Sequence, residues 1–250
     1  MGDLMVEVEN VSKSFGDNVV LDNISFNVRE GENFVVFGRS GTGKSVLLKC
    51  MVGLLEPDSG NIKIDGQSVI NISIDRMNQI RKHIGFLFQS AALYDSMTVR
   101  ENLEFPLIRN FQFSAEERLA KVKDVLEKVG LEKAIDMKPS ELSGGMKKRI
   151  GLARTIITEP MLILYDEPTT GLDPITTKEI SQLIVELQKH IKTTSIVVTH
   201  DLICAKIVAN DAIVLKDAKI KFEGEIKNLQ SSEDRFLKNF FSGEIVDANS

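Results

Sequence analysis

The chain has 250 residues, 42% apolar and 27% charged, a globular balance with enough length to bury a sizeable core. Its net charge of -5 argues against non-specific nucleic-acid binding, which needs a basic surface. Two cysteines, Cys50 and Cys204, lack CxxC or Cys/His spacing and sit among apolar residues. They are expected as core thiols in a reducing cytosol, not as a disulfide framework.

The opening MGDLMVEVEN lacks the basic and apolar regions of a signal peptide. It matches a myristoylation pattern only loosely, since Val6 stands where Ser or Thr is expected. No run approaches the roughly eighteen apolar residues of a membrane span, so a soluble chain is expected, with any membrane role coming through a partner. Apolar alternation at Val6 and Val8, then at Ile24, Phe26 and Val28, then in NIKIDG (Asn61 to Gly66), predicts half-buried antiparallel strands. FVVF (Phe34 to Phe37), MLILY (Met161 to Tyr165) and SIVVT (Ser195 to Thr199) are apolar almost throughout, which suits a parallel sheet covered on both faces.

Helical spacing lies between these runs. Ser114 and Glu117 predict a capping box ahead of Leu119, Val122, Leu126 and Val129. Met146, Ile150, Ala153 and Ile157 form a second stripe, and Ile180, Leu183, Ile184 and Leu187 a third; all three are expected to pack into the core. The fold expected is therefore α/β: a doubly wound core with a small antiparallel β part. A helical insert is expected over residues 97–158 and a polar, loose tail at EIVDANS.

The chemistry begins at FVVFGRSGTGKS, where Gly38, Arg39, Ser40, Gly41, Thr42, Gly43, Lys44 and Ser45 follow a buried strand and the apolar VLLKCMVGLL follows as a helix. Glycines let a loop backbone wrap phosphate oxygens that a Cβ would block. Lys44 supplies a charge at the β- and γ-phosphates and Ser45 a hydroxyl for Mg²⁺. This is a P-loop. In MLILYDEP, Asp166 ends a strand where it can hold the metal's hydration shell, and Glu167 can polarise an attacking water. Gln89 in IGFLFQ and His200 also end strands, at the edge where open α/β sheets bind ligands. Taken alone, LSGGMKKR reads as a helix start with Ser143 as N-cap. Its free N–H groups and dipole also suit an anion, which would give one chain two phosphate cradles.

The ordered series of P-loop, Gln89, LSGGM, LILYDEP, GLDP and His200 resembles the ATPase subunits of ABC transporters, and the resemblance runs from Phe15 to about Gly224. It implies a single ABC ATPase domain over 4–241 with a P-loop NTPase (RecA-like) core. Residues 4–96 and 159–228 would form the core and antiparallel part, 97–158 the helical signature subdomain, and 229–250 a C-terminal extension. It implies a homodimer that sandwiches two ATP and Mg²⁺, each nucleotide lying between one P-loop and the partner's Ser143, Gly144 and Gly145. Carried over residue by residue, Phe15 stacks on adenine and Val46 adds a backbone contact to the phosphates. Gln89 contacts the metal and water, Asp166 supports the metal, Glu167 is the general base, and His200 is the γ-phosphate switch. Asp173 in GLDP couples the two sites. The signature ends in Met146 where the family usually has Gln.

One ATPase domain without a membrane span implies separate integral-membrane permease subunits, with the chain on the cytoplasmic face of the inner membrane. QSAALYDSMTVRENLEFPL is expected to expose Ala91, Leu93, Tyr94 and Met97 to them. This stretch and LSGGM most resemble the Mla-type ATPases, which work with an MCE-domain protein in phospholipid transport. In that family the C-terminal extension reaches over the neighbouring subunit; here Phe236, Phe240 and Phe241 could form a short amphipathic helix, but the extension ends early. Transport of another solute or lipoprotein stays open, as does a non-transport ABC-type ATPase, although coiled coils, zinc inserts and tandem domains are missing. No NKxD-type guanine signature occurs.

Overall fold

A computed structural model describes residues 3–230 and residue 237. The first two residues of the loose myristoylation pattern, and Phe236, Phe240 and Phe241, lie outside the described residues. The chain opens with β1 (Leu4–Phe15), β2 (Asn18–Arg29), β3 (Asn33–Phe37), α1 (Lys44–Met51), β4 (Ser59–Ile64) and β5 (Gln67–Ser68). Then come α2 (Ile74–Arg81), β6 (Ile84–Leu87), α3 (Val99–Asn110), α4 (Ala115–Lys128) and α5 (Gly144–Ile156). The remainder holds β7 (Leu162–Asp166), α6 (Pro174–Ile191), β8 (Thr194–Thr199), α7 (Leu202–Val208), β9 (Asp211–Lys216), β10 (Lys219–Glu225) and α8 (Ile226–Gln230).

Two sheets result. The antiparallel one has the order β2-β1-β4-β5; the other has the order β10-β9-β3-β8-β7-β6 and is parallel except for β10. The apolar runs follow from burial on both faces. In β3, Val35 and Phe37 join the core beneath α3 to α7, whereas Phe34 and Val36 join the core shared with α1 and the antiparallel sheet. Strand β7 divides in the same way, Ile163 and Tyr165 against Leu162 and Leu164. Between Val99 and Ile156 there is no strand, only three helices and two 3₁₀ turns at Glu132–Ala134 and Pro139–Glu141. The capping box expected at Ser114 and Glu117 forms, and Val122, Leu126 and Val129 are buried.

Several elements, β9, β10 and α2 among them, carry no pattern that marks them in the sequence. Strand β9 contains a four-residue apolar run, Ala212 to Leu215, too short to tell strand from helix by periodicity. Strand β10 is an edge with only half-buried apolar residues, and α2 buries only Met77 and Ile80.

Register places the site. Phe37 of β3 pairs with Thr199 of β8, and Asp166 of β7 pairs with Val198, so their following residues emerge at one edge. Leu87 of β6 pairs with Tyr165, bringing the segment at Gln89 to the same edge. Residues at the carboxyl ends of four parallel strands therefore meet at one edge.

Tyr165 shows a cost of this packing. Its side chain is fully buried, burial pushes its phenol up from the ordinary tyrosine value, and its hydroxyl has no hydrogen-bond partner among the described residues. Tyr165→Phe removes that desolvated group. It is expected to stabilise the chain by about 1 kcal/mol, raising the unfolding midpoint by about 2–4 °C. A lowered midpoint in thermal unfolding would contradict this.

Candidate active site

The loop after β3 is shaped by close approach. A Cβ on Gly38 would lie 2.6 Å from Thr42 Oγ1 and 2.8 Å from the Leu215 carbonyl oxygen. Gly43 has φ +94°, and a Cβ there would lie 2.6 Å from the Val20 carbonyl oxygen. Between these pinned ends Arg39, Ser40 and Gly41 are exposed, and Thr42 closes the turn with a 2.9 Å hydrogen bond to the Arg39 carbonyl. Helix α1 then begins without a side-chain cap, whereas α2 to α7 are each capped by Ser73, Thr98, Ser114, Ser143, Asp173 or Asp201. The N–H groups of Lys44, Ser45 and Val46 thus stay unspent at the positive end of a helix, an arrangement suited to phosphate.

Lys44 is buried, and its ammonium donates to the carbonyls of Gly38 at 2.8 Å and Arg39 at 3.0 Å. Its third neighbour is Glu167 Oε1 at 3.3 Å. Ser45 Oγ donates to Asp166 Oδ1 at 2.7 Å, closing the gap between α1 and β7. The other Glu167 oxygen, Oε2, lies 2.8 Å from His200 Nδ1 and accepts from the His200 N–H at 3.3 Å and the Thr170 hydroxyl at 3.3 Å. Glu167 sits at φ +50°, a left-handed conformation rare outside glycine, held by its N–H donating to the Val198 carbonyl at 2.9 Å. The structure therefore brings together Lys44, Ser45, Asp166, Glu167 and His200.

Gln89 arrives differently. Its side chain is exposed and makes no hydrogen bond among the described residues; its carbonyl is what the site grips. The donor is Lys148 of α5, which also reaches the Glu167 carbonyl at 3.4 Å. Burial pushes the Lys148 ammonium below the ordinary lysine value, against the pull of Glu167 and Asp166. Sequence reasoning missed Lys148, because in the run Met146-Lys147-Lys148-Arg149 nothing distinguishes a buried cation from its solvated neighbours.

Ser143 caps α5, accepting from the Met146 N–H at 3.2 Å, and both it and Gly144 are exposed. Asp173 caps α6: its carboxylate accepts from the Thr176 hydroxyl at 2.6 Å and from the N–H groups of Ile175 and Thr176, each at 3.0 Å. The Thr176 hydrogen bonds hold it below the usual carboxylate range. Phe15 stands at the end of the β1–β2 hairpin, 48% exposed, with the Lys13 ammonium 5.6 Å from its ring centroid. It does not line the cleft of about 410 Å³ that Asn18, Val19, Val20, Gly41, Thr42 and Ala218 form beside the P-loop.

The stretch after Gln89 is less exposed than its loop composition predicts. Ala91 is fully buried, because a neighbouring glycine, Gly151, leaves room for it on α5. Leu93 and Met97 are half-buried and Tyr94 is exposed. With Phe86, Phe88, Phe105, Pro106 and Arg154, Tyr94 lines a groove of about 410 Å³ between the sheet edge and α3.

The family described as ABC transporter matches residues 21–170. The chain belongs to the ABC transporter ATPases. It is 39% identical to the intermembrane phospholipid transport system ATP-binding protein MlaF of Haemophilus influenzae, covering 98% of this chain and 92% of that one. It is 38% identical to the methionine import ATP-binding protein MetN of Clostridium tetani, covering 96% and 75%. Among solved structures it is similar to the dimeric, post-hydrolysis state of the ATP-binding cassette MJ0796 bound to ADP and Pi. The TM-score is 0.80 at 35% identity, over 89% of this chain and 99% of that one. The fold is that of these P-loop cassettes, and the chemistry of this ABC ATPase is ATP hydrolysis.

The residues fit a magnesium ion. No cluster of three or more His, Cys, Asp or Glu side chains suited to a metal exists among the described residues. Ser45 and Asp166 offer hard oxygen donors, and few of them, as suits an ion that keeps most of its ligands as water and phosphate oxygen. Ser45→Ala in the ABC ATPase is expected to lower turnover at least tenfold and to raise the Mg²⁺ concentration for half-maximal phosphate release. An unchanged Mg²⁺ titration would remove Ser45 from the metal's surroundings.

Proposed function

We propose that this ABC ATPase works as a head-to-tail homodimer that clamps two Mg²⁺-ATP and powers phospholipid transport through separate permease subunits. The carrying observation is at Gly144. Its backbone is helical, and an added Cβ would meet nothing closer than Leu172 Cδ2 at 3.9 Å, so its own chain does not demand glycine there. The exposed, positive end of α5 is a phosphate cradle waiting for a ligand from elsewhere, and a second copy's nucleotide supplies one.

In this reading the α1 N–H groups and Lys44 hold the phosphates, and Phe15 stacks on adenine. Ser45, Asp166 and Gln89 serve the metal, whose role is to neutralise charge on the β- and γ-oxygens. Glu167 accepts the proton of the attacking water, and His200, whose second ring nitrogen is free among the described residues, reaches the γ-phosphate. Ser143, Gly144 and Gly145 of the partner subunit complete the cradle, and Asp173 lies at the coupling point between the two sites.

The aromatic groove holding Tyr94 and Phe105 takes an apolar segment of an integral-membrane permease. No described helix is long and apolar enough to cross a membrane, which fits a subunit attached at the cytoplasmic face through that groove. Phospholipid is the cargo supported by the likeness to MlaF, 39% identical over 98% of this chain; methionine, the cargo in the name of a 38% identical relative, is the alternative. An MCE-domain protein belongs to the complex in this reading.

Glu167→Gln is expected to cut turnover at least a hundredfold while an ATP-bound dimer accumulates, read by phosphate release and by light scattering after gel filtration. Undiminished hydrolysis would remove Glu167 as the base. Gly144→Ala should separate two properties. The isolated chain should be unchanged or slightly more stable, by up to about 1 kcal/mol, while turnover falls at least tenfold. Equal turnover would refute the cradle in trans. For the cargo, the complex with its permease should move labelled phospholipid between vesicles only with ATP; ATP-driven methionine uptake in its place would overturn that assignment.

A further inference from the structure

Lys148 is only 6% exposed, while Lys147 and Arg149 on either side of it are half-buried. Burying an ammonium is costly unless its hydrogens find acceptors. Methionine or leucine would fill the same space against the neighbouring apolar core without that cost, so packing does not explain the lysine. Among the described residues no carboxylate pairs with it directly either. Its acceptors are two main-chain carbonyls, at Gln89 and Glu167.

Those two peptides flank the reacting phosphate in the reading above. The Glu167 peptide is strained at φ +50° and held at its N–H by β8. A donor on its carbonyl fixes the other side, and so fixes where the carboxylate points. A second cation repeats the device: Arg154, further along α5, donates to the carbonyls of Ala91 at 2.7 Å and Ala92 at 2.8 Å. Both alanines are in left-handed conformations that such bonds can hold. Helix α5 thereby grips the chain from 89 to 92 at two points.

We propose that Lys148 is a positioning residue whose ammonium, clamped on the Gln89 and Glu167 carbonyls, locks the Ser143 helix to the base peptide. The Ser143 end, the Gln89 segment and Glu167 then turn as one rigid piece, and the base is aligned whenever α5 is seated. In this assignment Lys148 acts through those two peptides and not on the nucleotide itself. The inference rests on Glu167 being the base, and it predicts an effect on turnover without an effect on nucleotide capture by the P-loop.

The test compares Lys148→Met, which keeps the apolar stem and loses the donors, with Lys148→Arg, which keeps donors, in the full chain. We expect Lys148→Met to lower kcat at least tenfold, with the Kd for a fluorescent ATP analogue within twofold of the parent. Lys148→Arg should restore kcat to within threefold. A Met variant with kcat within twofold of the parent overturns the proposal. So does a loss of kcat matched by a loss of affinity and of thermal stability, or a failure of Arg to rescue. Should the Met variant not fold, Lys148→Gln, with one amide donor group left, is expected to show an intermediate kcat at unchanged Kd, and a parental kcat overturns the proposal. A Glu167→Gln chain that binds ATP yet stays monomeric would sink the dimer reading alone, because the split between kcat and Kd still reports on Lys148.

Discussion

Asp166 and Glu167 are adjacent carboxylates, each with less than a tenth of its surface in water, at the end of a strand buried on both faces. Two negative charges so placed cannot be left uncompensated. The surrounding chain is organised to answer them: Ser45 takes Asp166, Lys44 and His200 take opposite oxygens of Glu167, and Thr170 adds a hydroxyl. These partners come from α1, from the turn after β7 and from the end of β8, so neutralising one dipeptide joins three parts of the fold. The P-loop is therefore not an independent module. Its lysine and serine are held in place by the carboxylates they serve.

Much of this was legible in the sequence, and for a physical reason. A strand buried on both faces must be apolar at consecutive positions, so Phe34 to Phe37, Met161 to Tyr165 and Ser195 to Thr199 stood out. A phosphate loop needs glycine where the chain packs against β2 and β9, so Gly38 and Gly43 sat at readable spacing. Ser114 and Glu117 announced their helix because a capping box uses only local chemistry.

What escaped depended on distant partners. Ala91 looked like surface because its segment has loop composition; it is buried because Gly151, sixty residues later, lacks a side chain. Lys148 stood in a basic run, and only the tertiary fold sets its ammonium against two carbonyls. Gln89 was read for its amide, yet the described fold holds it by its main-chain oxygen. Asp173 was read for coupling, and the fold also gives its carboxylate a full set of donors at the start of α6. Strands β9 and β10 were unmarked because a short apolar run and a half-wet edge leave little periodic signal.

One feature of the sheet bears on how such a chain behaves when handled by itself. Strand β6 is an edge, four residues long, and among the described residues the hydrogen-bonding groups on its outer side face no other strand. Phe86 of this strand and Phe88 just after it lie with ring centroids 4.3 Å apart, and Tyr94 and Phe105 at 5.0 Å. An uncapped β-edge next to greasy rings invites self-adhesion, and brevity is its main protection. A free chain presents this flank to solvent, so rising concentration favours self-adhesion through it.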